Sequence, residues 1–125
     1  ADDAFPRGFD VITIDTSFIS VVTVLDRARA YLRPPGSIVA LVKPQFEAGP
    51  RRLRRGVVRD PDVHRAILRD VARRVGDLGL VAGALAASPL RGAAGNREFF
   101  MLVGRRGEPL SDARIEAAVA EESEP

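Results

Sequence analysis

Two short aliphatic runs constrain this chain more than any other feature. FDVITID (9–15) and SIVALVK (37–43) are almost continuously apolar, and each ends on a charged side chain. A strand with one wet face alternates apolar and polar residues. A run with hardly any alternation is a strand covered on both faces, the condition of strands in parallel sheets flanked by helices. Between the two runs, residues 18–33 place Ile19, Val22, Leu25, Ala28 and Leu32 at helical spacing. Thr16 and Ser17 are available as caps, and Pro34, Pro35 and Gly36 as a stop. Strand, helical crossover and strand argue for a parallel pair in an α/β sheet.

The pattern continues in the same style. Residues 45–60 form a 16-residue basic loop, longer than an ordinary strand-to-helix connection and so a candidate for function. Asp60-Pro61 is a helix-start signature, with Val63, Ile67, Val71 and Val75 on one face and Gly79 as the stop. Residues 80–87 and 98–105 read as two more strands, joined by a turn-rich segment with no helix, which makes them antiparallel neighbours. Residues 109–122 read as a short Ala-rich helix. The expected fold is α/β: half of a doubly wound sheet, with parallel strands and a final antiparallel one. The first strand has an interior composition yet begins the chain, so its free edge needs a partner. Upstream strands of the same protein, making this its C-terminal half, are the simplest partner. Edge pairing in a homo-oligomer is the rival.

Composition narrows the function. Apolar residues make up 46% and charged residues 29%, so a core is affordable. The chain has no cysteine, which excludes thiolate zinc sites, disulfides and cysteine nucleophiles and fits a cytoplasmic location. No apolar run approaches the ~18 residues of a membrane span, so no membrane partner is expected. Residues 108–125 hold six acids and one base; the remaining 1–107 hold 18 bases and 11 acids, or +7. We therefore expect a body over 1–107, an acidic helix and tail over 108–125, and a polyanionic partner. Eighteen of the 19 basic residues are Arg; the exception is Lys43. Arg stays charged, whereas Lys can give up its proton, so a lone Lys marks a place where Arg cannot serve unless it is there by chance.

Ligands of open α/β sheets bind beyond the carboxyl ends of the strands. Asp15 ends the first strand, Lys43 ends the second, and Glu98 opens the antiparallel fourth, so all three belong to one rim. The strings IDTSFIS (14–20), LVKPQFEAG (41–49), GVVRDPDVH (56–64) and SPLRGAAGNREF (88–99) lie along this layout. Together they closely resemble the C-terminal half of the TlyA-type, hemolysin A-like ribosomal RNA ribose methyltransferases of the FtsJ-like superfamily. The resemblance runs from about Phe9 to Arg105; the family has Val where this chain has Thr16.

The resemblance implies a Rossmann-like methyltransferase sheet and transfer of methyl from S-adenosyl-L-methionine to a ribose 2′-hydroxyl. It implies a catalytic set of Asp15, Lys43 and Glu98. The family's further lysine, its glycine-rich cofactor loop and its N-terminal RNA-binding domain have no counterpart here. A ribose hydroxyl needs a base within hydrogen-bond reach. Lys43 is the candidate base, Asp15 and Glu98 orient it and the hydroxyl, and no metal is needed. Asp15 and Thr16 are expected at the cofactor. Ribosomal RNA, free or in ribosomal subunits, is expected at Gln45, Phe46 and Glu47 and on the arginines Arg51, Arg52, Arg54, Arg55 and Arg59. His64 reads as a cap or surface residue, and Asn96 as a turn former. The alternative is a non-catalytic RNA-binding module. A base-amine methyltransferase is disfavoured because Asp15-Thr16-Ser17-Phe18 lacks the paired prolines typical of that class.

Overall fold

The computed structural model describes residues 8–49, 53 and 55–121. Four strands, β1 (Phe9–Ile14), β2 (Leu32–Val42), β3 (Val81–Ala87) and β4 (Phe99–Gly104), form a sheet in the order β1-β2-β4-β3. Strands β1 and β2 are parallel, while β4 runs antiparallel to both of its neighbours. Strands β1, β2 and β3 therefore share one direction, and β4 starts where they end. The pairs Val42↔Phe99 and Ala87↔Phe99 close the two ladders at that rim, so Lys43 and Glu98 are the next residues outward on adjacent strands.

Helices α1 (Val21–Ala28), α3 (Pro61–Asp77) and α4 (Asp112–Ala120), with the four-residue turn α2 (Pro44–Glu47), complete the fold. Helix α3 follows the sequence closely. Asp60 caps it by accepting from the Asp62 N–H, and Gly79 leaves it at φ +79°. Helix α1 is shorter than its periodicity predicts. Ser20, not Thr16 or Ser17, is its cap, and a 3-10 turn at Arg29–Tyr31 ends it. Leu32 then opens β2, and Pro34-Pro35-Gly36 lies inside that strand, where a stop was expected. The register jumps from Phe9↔Leu32 to Val11↔Ser37, so Arg33–Gly36 bulge out opposite Asp10. A bulge tolerates prolines because it needs no ladder N–H there. Gly36 is required where the bulge closes, since a Cβ would sit 2.6 Å from the Asp10 carbonyl oxygen.

Ile38, Ala40 and Val42 of β2 alternate onto the same face as Phe99, Met101 and Val103 of β4, and all six are fully buried. Leu25 of α1 and Leu68, Val71 and Val75 of α3 belong to the same core cluster. Helix α4 adds Ile115, Ala118 and Val119, and Arg65–Glu116 and Arg69–Asp112 ion pairs join it to α3. The described part of the acidic segment is thus packed against the body.

Among the described residues the other sheet face is open, with Phe100 and Leu102 exposed. Strand β1, read from its composition as covered on both faces, has Phe9, Val11 and Thr13 exposed and only Ile14 buried. Among the described residues it pairs with β2 alone. The sequence measures what a strand is suited to, not what is present to cover it.

Candidate functional site

The rim begins with a short ion pair. Lys43 caps the turn α2 at the end of β2, and its Nζ lies 2.5 Å from Asp15 Oδ1 at the end of β1. The parallel pairing Ile14↔Ala40 puts these strand ends side by side. The lysine side chain is 13% exposed and the aspartate 68% exposed, so the amine is recessed while the carboxylate faces solvent. Lys43 Nζ also donates to Ser17 Oγ at 3.3 Å. Thr16 sits between, half-buried.

An aromatic pair stands beside this amine. Phe18 is 89% exposed and held at φ +64°. For a bulky residue that backbone region costs on the order of 1–3 kcal/mol, and such strain gathers at functional sites. Its ring lies 4.9 Å from that of Phe46, tilted by 53°, and Lys43 Nζ lies 6.0 Å from the Phe46 ring centre. Phe18 was missed in the sequence. Its signal was an aromatic side chain directly after the short polar run that ends the first strand.

Glu98 reaches the same rim from β4 but is held differently. It is buried, and Oε2 accepts from Gln45 Nε2 at 3.1 Å. Among the described residues Lys43 forms no ion pair with it; Lys43 pairs with Asp15. Gly92 packs on the Glu98 carboxylate, and a Cβ at Gly92 would overlap it. That requirement was invisible in the sequence, where Gly92 is one of several turn glycines.

Gln45 and Glu47, expected to face RNA, are turned inward. Gln45 is buried against Glu98. The Glu47 side chain is 3% exposed: its Oε1 accepts from Ser20 Oγ and its Oε2 from the Val21 N–H, both at 2.7 Å. Arg74 of α3 lies 3.6 Å away. Glu47 therefore fastens the Lys43 turn to the N-terminus of α1, a carboxylate placed where unpaired N–H groups and the helix dipole favour it.

Of the five arginines expected to grip RNA, Arg55 and Arg59 are exposed, and Arg51, Arg52 and Arg54 lie outside the described residues. The end of their loop is clamped. Asn96 Oδ1 accepts from the Val58 N–H at 3.0 Å, and Asn96 Nδ2 donates to the Gly56 carbonyl at 2.9 Å. His64 Nε2 lies 2.9 Å from the Val58 carbonyl and donates to it. His64 is therefore not a surface residue: it is buried beneath the loop, and burial pushes its pKa below the ordinary value. Among the described residues no group of His, Asp and Glu is placed to hold a metal ion, and no helix is long and apolar enough to cross a membrane.

Comparison with known proteins gives one consistent result. The FtsJ-like methyltransferase family model matches residues 1–105. YqxC of Bacillus subtilis is 37% identical over 124 residues, covering 94% of this chain and 44% of its own length. The 16S/23S rRNA (cytidine-2'-O)-methyltransferase TlyA of Mycobacterium tuberculosis is 40% identical over 112 residues, covering 88% of this chain and 42% of its own. The chain thus spans less than half the length of these relatives. A solved structure from Lactococcus lactis, described as a hemolysin, superposes with a TM-score of 0.84 at 35% identity, covering 94% of this chain and 58% of that one.

Proposed function

The chain belongs to the FtsJ-like methyltransferase family, and from that membership we propose that its rim is the proton-transfer side of a ribosomal RNA ribose 2′-O-methyltransferase. The observation that carries the reading is the recessed Lys43 amine, 2.5 Å from Asp15 and beside an exposed, strained aromatic. A recessed amine fixed by one carboxylate is oriented before any substrate arrives, which is how positioning lowers a barrier. Only the neutral amine of Lys43, freed of the proton it carries in the ion pair with Asp15, has the lone pair to accept the proton of the ribose hydroxyl as that oxygen becomes a nucleophile. Asp15 fixes the amine, and Glu98, fixed by Gln45, faces the same rim from the neighbouring strand. Phe18 and Phe46 offer a tilted pair of rings on which the target nucleobase can stack.

The group such a reaction requires is S-adenosyl-L-methionine, which supplies an activated methyl when bound. The residues present fit one side of it. Asp15 is the exposed carboxylate at the open end of β1, and Thr16 lies next to it. The chain contains no G-x-G turn of the kind that receives such a cofactor from the other side. Asp15 and Thr16 would hold its edge. Arg55, Arg59 and the other loop arginines hold the phosphate backbone, which positions RNA without reading its sequence.

The test is methyl transfer to rRNA by the intact protein and by two variants. Lys43→Ala should lower kcat by about 10²-fold or more, the usual contribution of a general base, with cofactor affinity unchanged. Lys43→Arg should fail equally, because Arg keeps its charge but cannot act as a base. An Arg variant with most of the parental rate would make Lys43 a phosphate clamp. A parent that binds rRNA without transferring methyl would support the binding-module alternative.

A further inference from the structure

Three consecutive side chains at the start of β4 each grip a different element. Asn96 holds the end of the basic loop through Val58 and Gly56. Arg97 holds the end of α4, donating to the Val119 carbonyl at 2.7 Å and the Glu121 carbonyl at 2.6 Å. Glu98 holds α2 through Gln45. Asn96 is 2% exposed, and its side chain is used in full, since Nδ2 also donates to the Ala93 carbonyl at 3.0 Å. Its own carbonyl accepts from the Gly92 N–H at 2.7 Å. Gly92 is the residue packed on the Glu98 carboxylate. An unbroken line of contacts therefore runs from the basic loop through Asn96 and Gly92 to Glu98, and on to Gln45, two residues from Lys43.

We propose that Asn96 is a positioning residue that couples RNA held on the basic loop to the placement of Glu98. The inference rests on the reading above that this rim methylates RNA. Arg55 and Arg59, both exposed, flank the clamped residues 56–58, so a phosphate gripped by either pulls on the segment Asn96 holds. That segment has little freedom to absorb the pull. The Val58 N–H is fixed by Asn96 and its carbonyl by His64. The bonds at Asn96 transmit a displacement, because its oxygen and both amide hydrogens are engaged and breaking any one of these bonds strands a buried donor or acceptor. The link is a physical one between two named ends, and a double-mutant cycle measures it.

The experiment compares the intact protein with Asn96→Asp in rRNA methylation. The aspartate keeps the acceptor for Val58 but loses both donors and sets an oxygen against the Gly56 and Ala93 carbonyls. We expect kcat to fall about tenfold and KM for RNA to rise, with cofactor affinity unchanged. Arg55→Ala with Arg59→Ala should lower kcat in the parent but add little in the Asn96→Asp background. A variant with less active protein but parental kcat per active site, parental KM for RNA and additive effects would have lost only stability, and the proposal would be overturned. A second measurement needs no variant. In the parent, hydrogen exchange with a bound rRNA fragment should show protection at 55–59 and also at 92–98; protection confined to 55–59 overturns the coupling. A parent that neither binds rRNA nor transfers methyl would sink the functional reading and this inference with it. A parent that does both, with Asn96→Asp unchanged, sinks the coupling alone.

Discussion

At the scale of single residues, His64 shows how burial converts an ordinary side chain into a pH-dependent one. It is enclosed by the loop at Val58 and the edge of the Phe99 ring, and its Nδ1 has no hydrogen-bond partner among the described residues. Burial lowers its pKa from 6.5; the bond to the Val58 carbonyl opposes that shift, and Arg97 adds to it. The unfolded chain therefore takes up a proton, in a window just below about pH 6.5, that the folded chain refuses. Stability is fully present above that window and falls as pH drops through it, with a slope of at most about 1.4 kcal/mol per pH unit for one proton. Denaturant unfolding between about pH 8 and about pH 5 should show the parent losing stability relative to His64→Gln. Parallel curves would mean that the folded and unfolded chains bind that proton equally. The sequence put His64 correctly in the first turn of a helix. It could not show that a loop six residues earlier folds back over it, because that contact depends on Asn96, 38 residues beyond Val58.

At the scale of elements, what local pattern controls was legible and what distant partners control was not. Helix α3 was readable at both ends because its cap, its first-turn proline and its terminal glycine are all local. Helix α1 was misjudged because Glu47, 26 residues downstream, is bonded to its first N–H. Leu32 fits a helical face by spacing but opens β2, where pairing with Phe9 decides its state. The same reasoning assigns Arg97 the task of holding α4. Its guanidinium stands 5.1 Å above the Phe99 ring and spans two carbonyls at the helix end. Replacing it by Met should destabilise the chain by about 1–3 kcal/mol, the usual range for charged hydrogen bonds, and should speed amide exchange over 112–120 before any other helix. Arg97→Lys should recover only part of the loss, because one ammonium lacks the fork that reaches both carbonyls. Uniform acceleration across all helices would place Arg97 in the general stability of the body.

At the scale of the whole molecule, charge separates where the fold does not. The directions of the strands and the β3–β4 pairing followed from the connections, whereas the insertion of β4 between β2 and β3 did not; Asp15 and Lys43 met because the strands that end on them are parallel neighbours. The roles of Gln45 and Glu47 were not legible, since both look like rim residues until their partners on other elements are known. The basic loop is different, because its chemistry is visible in composition: Arg51, Arg52, Arg54, Arg55 and Arg59 fall within nine residues of a body that carries +7 over 1–107. If these side chains hold phosphates, each phosphate held releases counterions, and the logarithm of affinity falls with the logarithm of salt by roughly 0.7–0.9 per phosphate. The intact protein carrying Arg51→Ala, Arg52→Ala, Arg54→Ala and Arg55→Ala should bind an rRNA fragment more weakly. Its salt slope should be shallower by about that amount for every phosphate no longer held, up to about 3.6 in all. Affinity for S-adenosyl-L-methionine should stay at the parental value, since Asp15 and Thr16 are untouched. The measurement is fragment binding at several salt concentrations, variant against parent. A weaker variant with an unchanged slope would mean that the arginines shape the loop rather than touch phosphate, and RNA would then have to be held by residues other than these four.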